Sequence, residues 1–198
     1  MLELSVSVDI NGVERYLDKV QKQVPFAISQ ALNDVAFDSR KALRAQAIKK
    51  LDRPTKFTLD GFRVVKAKKT NLESVVYVEG KRVGYMIWQI KGGVRQAKNK
   101  GTGVPVNARL NKYGNIPGRK KGLVKNSKQF IGTVKGVTGV WQKAGGKRNP
   151  KLKLMTAFEK SVRYSARFPF DKIIKGVVKN KFRSHFNKRM ANALRTAR

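Results

Sequence analysis

The sequence lacks cysteine and has a single histidine, His185, among its 198 residues. Without cysteine there is no disulfide framework, thiolate metal site or cysteine nucleophile, and one histidine excludes a multi-histidine metal site within the chain. A Ser-His-Asp triad would have to be built around His185, which precedes Phe186 at the edge of an apolar helical stripe. We therefore predict a packing or surface role for His185, and neither a metal nor a cofactor.

Acidic residues are also scarce. Twelve Asp and Glu stand against 45 Lys and Arg, which gives a formal net charge of +33. No acidic residue lies between Glu79 and Glu159, whereas the 79 residues 80–158 contain nineteen Lys and Arg. Since a surface that serves only solubility mixes both signs, this segregation predicts a surface that faces a polyanion. A solvated basic loop without a defined ligand is the alternative.

Motifs for metal or nucleotide binding are incomplete. The carboxylate pairs at helical i,i+4 spacing are Glu14 with Asp18 and Asp34 with Asp38, and neighbouring Lys and Arg favour surface ion pairing over metal binding. Residues 101–103 (Gly-Thr-Gly) lack the third glycine of a dinucleotide loop, and residues 146–148 (Gly-Lys-Arg) lack the Ser or Thr of a phosphate-binding loop. Nucleotide binding is not predicted.

Long apolar runs are absent as well. None approaches the roughly 20 residues of a membrane span. Residues 1–16, MLELSVSVDINGVERY, carry acids and alternate polar with apolar residues, unlike a signal peptide. We expect a protein that is cytosolic at synthesis. A basic C-terminal helix lying on an anionic membrane is the alternative, although its apolar stripe is needed for the core.

Periodicity predicts two long helices and several strands. Residues 2–10 alternate as a strand that Asn11 and Gly12 end. After a short helical stretch, an amphipathic helix of about 27 residues begins at Pro25 and fades toward Leu51. A second amphipathic helix begins at Phe170. Short runs rich in β-branched and aromatic residues predict antiparallel strands. These runs are GFRVVKAKK, SVVYVEG, GYMIWQI, QFIGTVKG, TGVWQKAG and LKLMTAF.

These elements predict a single α+β domain over residues 1–198, with an antiparallel sheet packed against two long amphipathic helices. Between Ile90 and Phe130 about 39 residues show little periodicity. A loop of that length in a compact domain is functional or disordered. We therefore predict a long basic, Gly-rich loop at about residues 91–128.

The cations of this loop, with a second group near residue 145, are predicted to face DNA or another polyanion. Gly and Asn between them let the backbone follow a curved anion but offer no rigid scaffold for reading bases, so sequence-independent contact is expected. Tyr113 is the aromatic residue expected to stack on a base, whereas Trp88 and Trp141 lie in strand-like runs that predict core positions. The predicted contact residues are Lys91, Arg95, Lys98, Lys100, Arg109, Lys112, Arg119, Lys120, Lys121, Lys125, Lys128, Lys143, Lys147 and Arg148.

The order of features resembles the minor tail protein Z family, the tail-completion proteins of long-tailed bacteriophages. Two stretches carry the resemblance, with a Lys/Arg- and Gly-rich middle between them. Residues 24–46, VPFAISQALNDVAFDSRKALRAQ, form an Ala-rich helix that opens at Val-Pro. Residues 154–190, LMTAFEKSVRYSARFPFDKIIKGVVKNKFRSHFNKRM, form an aromatic and basic link into the last helix.

The resemblance implies a non-enzymatic virion protein that completes the head-proximal end of a tail and joins it to the head. Its implied partners are neighbouring neck and tail proteins, namely a tail terminator and a head-tail connector, further copies in a homo-oligomeric ring, and double-stranded DNA. It implies residence in the host cytoplasm during assembly and then in the virion.

Two other classes of protein are open. An RNA-binding protein of the ribosomal type also combines a small core with long cationic loops. A nuclease would need a carboxylate or histidine cluster amid the positive region, and residues 80–158 contain neither residue type.

Overall fold

The computed structural model describes residues 10–97, 101–117, 122–146, 149 and 151–196, with side chains from Glu14 onward. The helices are α1 (Ile10–Lys50), α2 (Lys56–Leu59), α3 (Gly80–Lys91) and α4 (Phe170–Thr196). The strands are β1 (Phe62–Val65), β2 (Val75–Val78), β3 (Gly93–Gln96), β4 (Thr102–Pro105), β5 (Gln129–Val134), β6 (Val137–Ala144), β7 (Lys151–Glu159) and β8 (Ser161–Tyr164).

The chain forms two compact units, each built from separate stretches of sequence. Unit 1 consists of the described parts of Met1–Gln46, Asp60–Glu79 and Pro169–Arg198. Unit 2 consists of the described parts of Ala47–Leu59 and Gly80–Phe168. The assignment of residues 1–198 to a single domain stays a prediction.

Unit 1 packs the two long helices with the β1–β2 hairpin. The buried face of α1 includes Ala27, Ala31, Val35 and Leu43, at the spacing of helical turns. Small alanines on this face allow close approach of neighbouring elements. Phe62 of β1 is 1% exposed and its ring stacks on Phe170 at the start of α4, with 6.4 Å between ring centroids.

Asn33 joins α1 to the chain that follows β1. Its Oδ1 accepts a hydrogen bond from the Ala67 amide at 2.7 Å, and its Nδ2 donates to the Ala67 carbonyl at 3.1 Å. A side-chain amide that satisfies both backbone groups of one residue fixes that residue in position. Strands β1 and β2 pair antiparallel, with Phe62 opposite Val78 and Val65 opposite Val75.

Charged hydrogen bonds join α1 to α4. Arg189 donates to both carboxylate oxygens of Asp34, at 2.6 and 2.7 Å. Lys181 donates to Asp38 at 2.8 Å, and Nε2 of His185 lies 3.1 Å from the same Asp38 oxygen. The hydrogen bonds from Arg189 lower the pKa of Asp34, and the hydrogen bond from Lys181 lowers the pKa of Asp38, with burial opposing both shifts.

Unit 2 is built on a four-stranded antiparallel sheet with the order β4-β7-β6-β5. Strands β6 and β7 approach closely at Gly139, where a Cβ atom would overlap the Thr156 carbonyl oxygen. Strands β3 and β8 form a separate antiparallel pair. Next to this pair, the ring of Trp88 in α3 stacks on Tyr164 of β8, with 6.3 Å between centroids.

The α+β class, the two long amphipathic helices and the antiparallel strands are confirmed. The number of sheets differs from the prediction, because the described strands form three antiparallel sheets and not one. The predicted loop at 91–128 also contains β3 and β4. Each of these two strands contains a glycine and only one valine, so neither has the run of β-branched and aromatic residues by which β1 and β2 were predicted.

Two element boundaries were predicted wrongly in α1. The helix begins at Ile10 and runs through Pro25, so Pro25 does not start it. Proline removes the hydrogen bond to the carbonyl four residues earlier, here that of Gln21, and since Gln21 is exposed, water can solvate that carbonyl. Ile10 is helical, and the rest of the predicted strand, residues 2–9, lies outside the described residues.

The GYMIWQI run was predicted as a strand and is helical, within α3. A short apolar run does not distinguish a buried strand from a buried helix. Here the helix begins four residues earlier, at Gly80, and buries Met86 on one face while Val83 stays exposed. The twelve residues of α3 are long enough to show a helical period, whereas the seven-residue apolar run is not.

The helix-joining carboxylates predict a pH dependence of stability. A carboxyl group whose pKa is lowered by folding stabilises the native state above its unfolded-state pKa and loses that contribution as the pH falls through the folded-state pKa. We expect the loss to begin below about pH 5. The variant with Asp34→Asn and Asp38→Asn should lose about 1 to 3 kcal/mol at pH 7, because charged hydrogen bonds are removed from partly exposed sites.

Urea unfolding at pH 7, 5 and 3 measures this effect. The free-energy gap between the natural protein and the double variant should shrink as the pH falls. A gap that stays constant from pH 7 to pH 3 would show that these carboxylates do not stabilise the fold through their charge.

Candidate polyanion-binding surface and groove

The charge of the chain is concentrated in unit 2. Its sequence stretches contain 26 Lys and Arg but only two acidic residues, Asp52 and Glu159, which gives +24. The stretches of unit 1 contain 19 Lys and Arg and ten acidic residues, which gives +9. The compact unit that holds the predicted loop is therefore the strongly positive one.

Even the acidic residue Asp52 is neutralised locally. Arg53 donates two hydrogen bonds to its carboxylate, at 2.9 and 3.1 Å, and they lower the pKa of Asp52 and raise that of Arg53. Arg53 adopts a left-handed backbone conformation with φ of 45° just after α1. A cleft of about 310 Å³ next to this pair is also lined by Lys50, Arg167 and Tyr113.

A larger groove lies where the basic loop meets strand β7. Its volume is about 730 Å³. Among the described residues, three exposed cations line it, Arg109, Lys112 and Lys125, and no acidic residue does. Its apolar lining includes Ala108, Leu110, Ile116, Pro117, Leu123 and Met155. We call this site the basic groove.

The segment that follows β4 forms the first wall of the basic groove, and one backbone carbonyl of β7 fixes it by hydrogen bonds. The backbone amides of Val106, Asn107 and Ala108 all point at the Met155 carbonyl oxygen, at 3.0, 3.2 and 3.1 Å. The Asn107 side chain donates to the neighbouring Leu154 carbonyl at 2.8 Å. This anchoring fixes the chain leaving β4 before it reaches Arg109.

Asn111 organises the turn that follows. Its Oδ1 accepts hydrogen bonds from the amides of Tyr113 and Asn115, at 2.9 and 3.0 Å. The backbone closes the same turn, because the Asn111 amide donates to the Asn115 carbonyl at 2.8 Å. Gly114 takes φ of 74°, a conformation that glycine adopts without strain. Lys112 therefore projects from a closed turn.

The second wall is fixed by amide side chains. The Lys125 backbone amide donates to Oε1 of Gln129 at 2.8 Å, and Nε2 of Gln129 donates to Oε1 of Gln142 in β6 at 3.0 Å. The Lys125 ammonium also donates to the Gly122 carbonyl. These contacts hold Lys125 beside the four-stranded sheet.

Seven of the predicted contact residues lie among the described residues. Arg109, Lys112 and Lys125 come together at the basic groove. Lys91 ends α3, Arg95 lies in β3, and Lys128 and Lys143 are neighbours, since the Lys143 amide donates to the Lys128 carbonyl at 2.9 Å. Lys98, Lys100, Arg119, Lys120, Lys121, Lys147 and Arg148 lie outside the described residues.

The aromatic residues occupy different environments. Tyr113 is 37% exposed, and the Lys112 ammonium lies 5.2 Å from its ring centroid. Trp88 and Trp141 are half-buried, in α3 and β6 respectively. Base stacking by Tyr113 stays a prediction.

The apolar lining of the groove was not predicted from the sequence, because only the Lys and Arg of the loop were considered as contact residues. The available signal was the apolar residues within it, among them Leu110, Ile116 and Leu123. Met155 comes from β7, some 30 residues further along, so sequence spacing could not place it in the same site.

Comparison with models of protein families, with curated proteins and with solved structures finds no match. Within the part of the chain that the structure describes, no group of three or more His, Asp or Glu side chains could hold a metal ion. No helix there has the length and apolarity to cross a bilayer.

The Asn111 turn gives a local prediction. Asn111→Ala removes the acceptor of two amides, so the turn should open more often. We expect faster hydrogen exchange at the Tyr113 and Asn115 amides, with a global loss of stability of about 1 kcal/mol or less. Exchange measured by NMR tests this.

Asn192→Ala, at an exposed position of α4, is the matched control. It should leave exchange at residues 113 and 115 unchanged. Unchanged exchange in Asn111→Ala as well would mean that the backbone hydrogen bonds alone hold the turn.

Proposed function

We propose that this protein is a non-enzymatic structural component of a phage virion. It completes the head-proximal end of the tail, joins it to the head, and faces the DNA channel with the basic surface of unit 2. The resemblance of residues 24–46 and 154–190 to tail-completion proteins suggests the class of protein. The main observation that supports contact with DNA is the net charge of +24 in the sequence stretches of unit 2.

A DNA channel requires contacts that are numerous, weak and independent of sequence, because the DNA has to slide through it. Phosphate contacts by Lys and Arg meet this requirement, since they carry no base information. Lys91, Lys128 and Lys143 are exposed, and none forms an ion pair with a described carboxylate. Such cations are available for phosphates.

Cyclic assembly would strengthen this field. Copies arranged in a ring each direct the same surface toward one lumen, so the positive potential of all copies adds there. The ring would also meet the neighbouring tail terminator and head-tail connector. The same +33 would otherwise oppose association of the copies, so their contacts need local neutralisation.

The absence of catalysis is part of the proposal. The described cluster that most resembles a catalytic arrangement is Asp34, Asp38 and His185 in unit 1. Arg189 and Lys181 hold both of its carboxylates in charged hydrogen bonds, which favours a structural role for the cluster.

The second candidate is an RNA-binding protein of the ribosomal type, which the same positive unit supports. Loops that are fixed by Asn and Gln side chains present their Lys and Arg equally well to the phosphates of DNA and of RNA. The charge alone therefore does not distinguish the two nucleic acids. The particle with which the protein associates in cells separates the two.

DNA binding should depend on unit 2. Changing Lys91, Lys128 and Lys143 together to Gln should lower duplex affinity and reduce the slope of log affinity against log salt by about 0.9 for each phosphate that the variant no longer neutralises. The effect should be equal for two duplexes of unrelated sequence. Fluorescence anisotropy between about 50 and 200 mM salt measures it.

The matched control changes Lys172, Lys175 and Lys179 of α4 to Gln, which removes the same charge from exposed positions of unit 1. It should reduce the slope less. Equal slopes for both variants would mean that net charge, not the surface of unit 2, drives binding.

Sedimentation of extracts from producing cells tests the virion role. The protein, followed by antibody at moderate salt, should migrate with free tails and whole particles. Migration with ribosomes would overturn the tail-completion proposal and leave an RNA-binding protein.

A further inference from the structure

The basic groove is suited to a protein segment rather than to a nucleic acid backbone. A volume of about 730 Å³ lies in the range of sites that enclose small ligands or a few side chains. Its described lining combines six apolar residues with three cations. A phosphate backbone stays hydrated and gains little from apolar surface, whereas apolar side chains are stabilised when they displace water there.

The charge of the groove restricts the occupant further. Arg109 and Lys112 are exposed and make no ion pair with any described carboxylate, and no acidic residue that the structure describes lines the site. An occupant therefore has to bring both apolar side chains and carboxylates. These requirements describe an acidic segment with apolar residues on one side.

Three stretches of the sequence contain at least two acidic residues and no Lys or Arg. Residues 23–39 lie in α1, where Asp34 and Asp38 are held by α4. Residues 70–80 contain β2, which is paired with β1. The third stretch is residues 1–14, and its first part precedes the described residues.

Residues 2–9, LELSVSVD, have the chemistry that the groove requires. Leu2, Leu4, Val6 and Val8 alternate with polar residues, and Glu3 and Asp9 supply the carboxylates. Alternation places the four apolar side chains on one face of an extended segment. We call residues 2–9 the acidic segment.

We propose that the basic groove of one copy binds the acidic segment of a second copy. The apolar face of the segment contacts Leu110, Leu123 and Met155, and its carboxylates meet Arg109 and Lys112. The contact is heterologous, because a segment of one copy fits a groove of the next, and such contacts close into rings when the rotation permits. It does not depend on the virion role proposed above.

Charge-swap variants test the contact. Changing Glu3 and Asp9 to Lys, or Arg109 and Lys112 to Glu, should each weaken self-association about tenfold or more, because like charges then meet across the contact. All four changes in one chain should restore association, since the opposite signs face each other again. Lys172→Glu with Lys175→Glu, on α4, is the control for net charge and should not reproduce the loss.

Sedimentation velocity of nucleic-acid-free protein measures the association. The salt is about 0.15 M, where repulsion between copies is screened beyond about 8 Å. Failure of the four-change variant to recover would overturn the proposal. A loss of DNA affinity in the groove variant with unchanged self-association would also overturn it, and would assign the groove to nucleic acid.

Crosslinking gives a second test that does not depend on charge. Because the chain has no cysteine, an introduced pair reports one contact only. A copy with Leu4→Cys, mixed under mild oxidation with a size-tagged copy carrying Leu110→Cys, should form a disulfide-linked heterodimer. Val137→Cys is the matched control, since Val137 is 39% exposed, Leu110 is 38% exposed, and Val137 does not line the groove.

Each crosslinking outcome decides the proposal. Selective heterodimer formation with Leu110→Cys supports it. Equal yields with both partners, or none, would overturn it. A chain carrying both Leu4→Cys and Leu110→Cys that crosslinks only within itself would show that the segment binds its own copy, which also overturns the proposal.

Discussion

The distribution of twelve carboxylates among 45 cations is the constraint on which the structure depends. Ten of the twelve belong to unit 1, and several of these join parts of the chain that are distant in sequence. Asp34 and Asp38 hold α4 against α1, and Asp60 accepts a hydrogen bond from Arg44 of α1 at 2.6 Å. Unit 2 retains only two carboxylates, so its loops have to be fixed by other means.

Unit 2 fixes its loops with neutral hydrogen bonds. The Met155 carbonyl accepts hydrogen bonds from three backbone amides. Four side-chain amides also form hydrogen bonds with backbone groups, namely those of Asn107, Asn111, Asn126 and Gln129. Amides order a loop without neutralising its cations, because they carry no charge. The loops therefore become structured while the positive potential persists, and that potential is the property a polyanion recognises.

Local patterns predicted the elements whose signals are local. Helix α4 and strands β5 to β7 follow from periodicity and turn residues. Helix α3 was not predicted, because its apolar run is too short to show a helical period without residues 80–83. The start of α1 was wrongly predicted at Pro25, because the sequence does not show that water can solvate the Gln21 carbonyl. The partners of Asp34 and Asp38 were sought among nearby residues, whereas they lie about 150 positions away on α4.

The basic groove escaped prediction for a related reason, and the reason bears on its role. The cations were predicted from composition, since charge is a property of the sequence. The apolar floor of the groove forms only in the folded chain, where Leu110, Ile116 and Leu123 lie next to Met155 of β7. Phosphate binding needs no such floor, because counterion release depends on the number of charges neutralised. A recessed apolar floor contributes only where side chains displace water, which favours different partners for the groove and for the protruding cations of unit 2.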